Sequence, residues 1–182
     1  MKNLVEPIKN KKTLCKIEKY LSEKSKRNQL IWAFGINSGL RVSDILGLNV
    51  EDVKNKTYIE IREKKTSKYK RFPLNNKLRF LIKNYLKTEN LSEGALFIGK
   101  KHCRLHRSQV YRFLNEACNT LGIEENIGTH SMRKSFGFHF YKQYNNIALL
   151  QKILNHSSPA ITLRYIGIDQ DEIDFSYKNF EL

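Results

Sequence analysis

The stretch Leu154 to Tyr165, L-N-H-S-S-P-A-I-T-L-R-Y, decides how the chain is to be read. His156 and Tyr165 stand nine residues apart. On one unbroken α-helix, at about 3.6 residues per turn, that separation puts the imidazole and the phenol on opposite sides. The residues between them break such a helix. Ser158 is a good N-cap and Pro159 a good first helical residue, because its missing N–H is one that a first turn leaves unpaired anyway. A helix therefore ends near His156 and another begins at Pro159, so both side chains can face one site. In isolation the fragment equally suits a capping histidine and an interfacial tyrosine.

Working outward, His130-Ser131-Met132-Arg133 places an imidazole and a guanidinium one helical turn apart, a plausible phosphate clamp with one group able to exchange protons. Chance alone produces H-x-x-R in roughly a fifth of basic chains of this length. Further upstream, Gly39 to Leu48 reads G-L-R-V-S-D-I-L-G-L. Gly39 is placed to end a helix carrying Leu30, Ile31, Phe34 and Ile36, and Arg41 follows that stop. Asp44, three residues on, is positioned to hold the Arg41 guanidinium, although an ordinary surface ion pair fits the same spacing.

The middle of the chain switches period. Thr57 to Glu63 alternates and is rich in β-branched residues, Lys70 to Leu74 is a second extended stretch, and Lys64 to Tyr69 reads as the turn of a hairpin. Lys65 on that turn could reach into a groove and deliver a proton, but Lys64, Lys68 and Lys70 belong to the same basic run and could simply touch phosphates. Helices are expected after a Thr13 cap, through Ile45, Leu46 and Leu48, and over Leu78 to Leu86 and Ser108 to Leu121, with Ala95 to Ile98 extended. The chain is thus mostly α with a small antiparallel β-sheet, an α+β fold.

At 182 residues the chain can bury one sizeable core. Its net charge of +15 points to a polyanionic partner, and the basic residues cluster in Lys9–Lys12, Lys64–Arg71 and Lys100–Arg107. Lys64, Lys68, Lys70, Arg71, Lys100, Lys101, Arg104 and Arg107 are the expected DNA contacts. The end of the chain is acidic instead, with Asp169, Asp171, Glu172 and Asp174. Cys15, Cys103 and Cys118 make no disulfide framework. His102, Cys103 and His106, with Cys118 as a fourth group, match no regular zinc spacing, so no metal is assigned. The N-terminus lacks the apolar core of a secretory signal and no run is long enough to span a membrane, which leads us to expect a soluble, cytoplasmic protein.

Taken together, the pieces match one requirement. Exchange of phosphodiesters needs a nucleophile, cations around the non-bridging oxygens and an acid for the departing oxygen. The ordered set Arg41, Lys65, H-x-x-R, His156 and Tyr165 resembles the catalytic set of the tyrosine recombinase (phage integrase) family, and the likeness spans nearly the whole chain. It includes G-L-R with an acid three positions after the arginine, K-T-x in the hairpin, and L-x-H-S-S with tyrosine nine residues after the histidine.

The resemblance implies the family's catalytic-domain fold and recombination or integration of DNA, with no metal or other cofactor. It implies that Tyr165 attacks the scissile phosphate to form a 3′-phosphotyrosyl link. Arg41 and Arg133 would neutralise the transition state, His130 would accept a proton or position the phosphate, and Lys65 would protonate the leaving 5′ oxygen. His156 takes the family's second histidine position and Asp44 its supporting acidic position. The partners implied are double-stranded DNA and further copies of the chain on it, a tetramer in the synaptic complex and a monomer or weak dimer when free. Residues 1–168 would form the catalytic domain, and the acidic tail 169–182 a contact between protomers. Family enzymes also carry an N-terminal helical DNA clamp, and with only 40 residues before Arg41 that domain is expected to be absent. A non-catalytic DNA-binding regulator and a type IB topoisomerase would share much of this pattern.

Overall fold

A computed structural model describes residues 5–99, 103–168 and 177–181. Among the described residues eight helices and two strands follow in the order α1 (Lys11–Lys24), α2 (Lys26–Ser38), α3 (Val42–Ile45), β1 (Tyr58–Arg62), β2 (Tyr69–Pro73), α4 (Asn76–Thr88), α5 (Arg107–Thr120), α6 (Thr129–Tyr144), α7 (Ile147–Leu154) and α8 (Pro159–Ile166). The fold is mostly helical with one two-stranded antiparallel sheet, as the periodicities predict. No described helix is long and apolar enough to cross a membrane.

Helix α2 is the centre of the molecule. Leu30, Ile31, Trp32, Ala33, Phe34 and Gly35 are all buried, so it is apolar around most of its circumference, as expected of a helix wrapped by others. Helices α1, α4 and α6 pack around it. Gly35 sets the distance to α6, since a Cβ there would lie 2.6 Å from the Cβ of Met132. Gly39 ends α2 at φ 61°, a left-handed conformation that suits a residue without Cβ. At α1 the cap is Asn10, whose side chain accepts from the Lys12 amide, and the expected cap Thr13 lies inside the first turn.

In the hairpin, Ile59 pairs with Phe72 and Ile61 with Lys70, and these residues face inward. Residues 95–98 form isolated bridges to Asn49 and Arg104 and carry Leu96 and Phe97 into the core. Phe97 packs against Phe34 edge-on at 6.2 Å and against Tyr85 at 5.9 Å.

Apolar packing falls into two clusters. The larger runs from Ile8 through α1, α2, the hairpin, α4 and α5 to Met132 at the start of α6. The smaller is centred on Phe138, Leu150, Leu154 and Ile166, from α6, α7 and α8. Helix α6 belongs to both and is the element that joins them. Gly35→Ala is expected to cost about 1–3 kcal/mol by forcing α2 and α6 apart, read as a lower urea midpoint with an unchanged slope.

Candidate active site

Arg133 lies where the two cores meet and is only 2% exposed. Its Nη1 donates to the carbonyl of Gly39, and its Nη2 donates to the carbonyl of Leu154 at 2.6 Å. Gly39 caps α2 and Leu154 is the last residue of α7. Carbonyls at a helix C-terminus lack intrahelical partners and carry partial negative charge, so a guanidinium there satisfies two helix ends together. Arg41 lies two residues beyond one anchor and His156 two beyond the other.

Arg41 caps α3 in an extended conformation. Its Nη1 is 2.8 Å from Oε2 of Glu63, a carboxylate with no exposed side-chain surface. The same oxygen accepts from Thr66 Oγ1 at 2.7 Å and Asn155 Nδ2 at 3.0 Å. Burial would raise the Glu63 pKa, but the bonds from Thr66, Arg41 and Asn155 and the charge of Arg41 outweigh it, holding the carboxyl below its ordinary range. The expectation that Asp44 grips Arg41 is thereby corrected. Asp44 instead accepts from the backbone N–H of Lys64 at 2.9 Å and so fastens the hairpin to α3. Arg41 precedes α3 in an extended conformation, so the one-turn spacing that would set it beside Asp44 on a helix face does not apply.

The hairpin lysines separate by side. Lys64, Lys65 and Lys68 are exposed on or beside the turn. Lys70 points inward, 8% exposed, and its Nζ donates to the Ile153 carbonyl at 3.0 Å. Burial, helped by the charge of Arg133, pushes its pKa down to about 8 against the pull of Glu63. Lys70 is therefore not the DNA-facing contact expected of it, because strand alternation turns it inward beside Phe72.

Arg104 is committed to the protein as well. Its Nη1 donates to the carbonyls of Gly47 at 3.1 Å and Leu48 at 3.0 Å, and its Nη2 donates to Asn49 Oδ1. Arg71 and Arg107 are exposed, Arg71 lying 4.1 Å over the Tyr58 ring. Lys100, Lys101 and His102 lie outside the described residues. His106 caps α5, accepting from the Ser108 amide. Among the described residues no group of three or more His, Cys, Asp or Glu is arranged to hold a metal ion.

His130 opens α6. Burial lowers its pKa, reinforced by the charges of Arg133, Lys134, Lys65 and Arg107, so the imidazole is neutral near pH 7. His156 is pushed down to about 4, by burial first and then by Arg133 and Arg41. Its Nδ1 is 3.1 Å from Thr162 Oγ1, and that hydroxyl is also 3.1 Å from the Ser158 carbonyl. A carbonyl can only accept, so the hydroxyl proton goes to Ser158 and the hydroxyl oxygen accepts from Nδ1–H. This tautomer, assigned from the network, leaves Nε2 with a free lone pair.

Ser158 caps α8 by accepting from the Ile161 amide, and Pro159 begins the helix. The turn that results lets the Tyr165 ring meet the His156 ring edge-on, with centroids 4.9 Å apart. Burial raises the Tyr165 pKa, while Arg133, which hydrogen-bonds the phenol, and Arg41 draw it down without cancelling the rise. The structure thus gathers Arg41, Arg133, His156 and Tyr165 around one point, with His130 and Lys65 at its edge. Glu63, Thr162 and Lys134 also line it and went unnamed in the sequence.

This arrangement can hold an anion against two guanidinium groups and present it to a phenol. The phage integrase family model matches residues 8–172, and the chain belongs to that family as a tyrosine recombinase. It is 44% identical over 178 residues to the probable integrase/recombinase YoeC of Bacillus subtilis (strain 168), covering 98% of each chain. The crystal structure of XerA recombinase superposes with a TM-score of 0.81 at 19% identity, over 100% of this chain and 67% of that one. A lambda integrase tetramer bound to a Holliday junction superposes with a TM-score of 0.70 at 17% identity, over 91% of this chain and 49% of that one. The chain also spans about half the length of curated XerC relatives.

Two pairings here are open to titration. Glu63 binds its proton less tightly folded than unfolded, so its stabilisation is present above the ordinary carboxylate range and is lost as pH falls through the folded value. Glu63→Gln is expected to cost about 3 kcal/mol at pH 7, and the gap in urea denaturation should close as the pH drops below about 4. Lys70 also binds its proton less tightly when folded, so stability again rises with pH, here because losing the proton relieves the cost of a buried charge. Between about 8 and 10.5 the unfolded chain holds more protons, and stability rises with pH. Wild type should therefore gain stability relative to Lys70→Met between pH 7.5 and 9.5, with the variant equal or superior at the lower pH.

Proposed function

We propose that the chain cuts and rejoins DNA at specific sites through a 3′-phosphotyrosine intermediate at Tyr165. The observation that carries this reading is the meeting of the half-buried Tyr165 phenol with the buried Arg133 and with Arg41 and His156. The Tyr165 oxygen forms a bond to phosphorus as the bond from phosphorus to the 5′ oxygen breaks. The phenolic proton passes to a neutral imidazole, His130 in this reading, and Lys65 gives its proton to the departing 5′ oxygen. Arg41 and Arg133 carry the charge that builds on the non-bridging oxygens. Attack by the 5′ hydroxyl of a partner strand then reverses these steps and releases Tyr165. The bond energy is kept in the phosphotyrosine, so no ATP is called for, and guanidinium groups take the place of a metal.

The exposed hairpin lysines with Arg71 and Arg107 support a phosphate-contacting face. By likeness to the lambda integrase tetramer on a Holliday junction, the working form on DNA is a tetramer, and the free protein is a monomer or weak dimer. Most of the acidic tail lies outside the described residues, but Tyr177 and Phe180 are 79% and 68% exposed, which supports its use as a protomer contact. We place the protein in the cytoplasm, with its DNA.

The test is a nicked duplex bearing a sequence the protein selects from a random pool, with the nick placed so that the short fragment released with a free 5′ hydroxyl diffuses away and the adduct is trapped. Wild type should give a denaturant-resistant adduct in the presence of EDTA. Tyr165→Phe should give none while its DNA affinity stays within about twofold, or roughly 0.4 kcal/mol. An adduct that survives in Tyr165→Phe would overturn the assignment.

A further inference from the structure

Directly after Arg133, helix α6 carries a lysine for which the chemistry above has no use. Lys134 is 6% exposed. Its Nζ lies 5.3 Å from the centroid of the Tyr165 ring. Among the described residues no carboxylate is within 4.0 Å of it. The acid whose charge reaches it is Glu6, on the N-terminal segment. That segment lies along α6, with the Ile8 amide donating to Ser135 Oγ at 2.8 Å and the Ile8 carbonyl 3.0 Å from His139 Nε2.

A buried ammonium without a paired carboxylate is costly to keep charged. The π-face of an aromatic ring is one group that offsets such a cost. Here the ring is Tyr165, already held at its oxygen by Arg133 and met by the His156 ring. We propose that Lys134 is a positioning residue for Tyr165, holding the ring with its ammonium and favouring the phenolate over the phenol. The inference rests on Tyr165 being the nucleophile.

The direction follows from charge. A phenolate ring is richer in electrons than a phenol ring, and a phosphorylated one is poorer, so the ammonium attracts the phenolate most strongly. It would help Tyr165 both when it attacks and when it departs on rejoining. The charged or titratable groups facing Tyr165 are Arg133 and Lys134 from α6, His156 from the turn before α8, and Arg41 from the start of α3. Lys134 in turn bears on His130 and is faced by Glu6.

Lys134→Met removes the charge and keeps an unbranched apolar side chain, Lys134→Gln is a second neutral variant should Met fail to fold, and Lys134→Arg restores the charge. The ionisation of Tyr165 is read in the free protein by NMR of ¹³C-labelled tyrosine, its signal assigned by its loss in Tyr165→Phe. In the neutral variants it should move up by about one pH unit. Adduct formation on the nicked duplex should fall about tenfold at pH 7 and recover as the pH is raised. Lys134→Arg should restore both readouts. An unchanged Tyr165 titration and pH profile in the neutral variants would overturn the role, even if stability fell. A shifted titration in a protein whose wild type forms no adduct on Tyr165 would instead overturn the nucleophile reading, and the positioning role with it.

Discussion

The buried guanidinium of Arg133, shared between the C-terminal carbonyls of α2 and α7, is the interaction on which the rest of the site depends. Burying a charge is unfavourable unless its donors are met, and here they meet the groups that helix ends leave unpaired. The contact links the large core around α2 to the small core around α7 and α8. It also fixes where two chain segments begin. One leads from Gly39 to Arg41 and the other from Leu154 to His156, so both candidate site residues lie two residues from one of the carbonyls Arg133 binds. Their placement derives from rigid elements, which is what a site accurate enough for in-line displacement needs.

Charge balance explains why this arrangement favours an anion. Glu63 compensates Arg41, and both Glu63 and Asp44 bear on Arg133 from a greater distance. Lys70 enters the same cluster from below, with Ile153 as its hydrogen-bond acceptor. Arg41, Arg133, Lys70 and Lys65 together outnumber the two carboxylates, so the site carries an excess of positive charge in a setting of reduced dielectric. A phosphodiester monoanion is complementary to that excess. The two imidazoles add nothing to it near neutral pH, because burial and the surrounding cations keep both unprotonated.

Much of this was legible in the residues, and the omissions share a cause. The break at Ser158-Pro159 is local cap chemistry, and the structure realises it with the serine and proline in those positions. The hairpin and the end of α2 at Gly39 are also local signals. What sequence spacing could not supply was the choice among partners distant along the chain. Asp44 lies near Arg41 in sequence, but Glu63 reaches it across the fold. Arg104 looks like a surface cation until the backbone around Leu48 is folded against it. Lys70 is different, because the signal was there: it shares strand parity with Phe72 and Leu74, and a period of two assigns it to their inward side. The run of neighbouring lysines obscured that alternation. Lys134 was hidden by adjacency to Arg133, since neighbours on a helix point about 100° apart and only the packing of α8 shows what the second one meets.

The proposed nucleophile is carried by the smaller of the two cores. Helix α8 contributes Thr162 and Ile166 as buried residues, and Gly137 lets Ile166 approach α6 so closely that a Cβ there would lie 2.7 Å from Ile166 Cγ2. Beyond Tyr165, Gly167 ends the helix at φ 73°, and the space a Cβ would occupy is bounded by Pro7 at 3.2 Å. The N-terminal segment thus touches the end of the tyrosine's helix and, through Ile8, the face of α6 that carries Ser135 and His139. Helices with few buried apolar contacts open at lower cost than those in a large core. Of the elements that form the site, α8 should therefore move most readily, while Arg41, Glu63 and Arg133 stay anchored to the larger body. Under the proposed chemistry that division is useful, since the cation pocket can stay fixed while the proposed nucleophile's ring retains freedom to advance and withdraw.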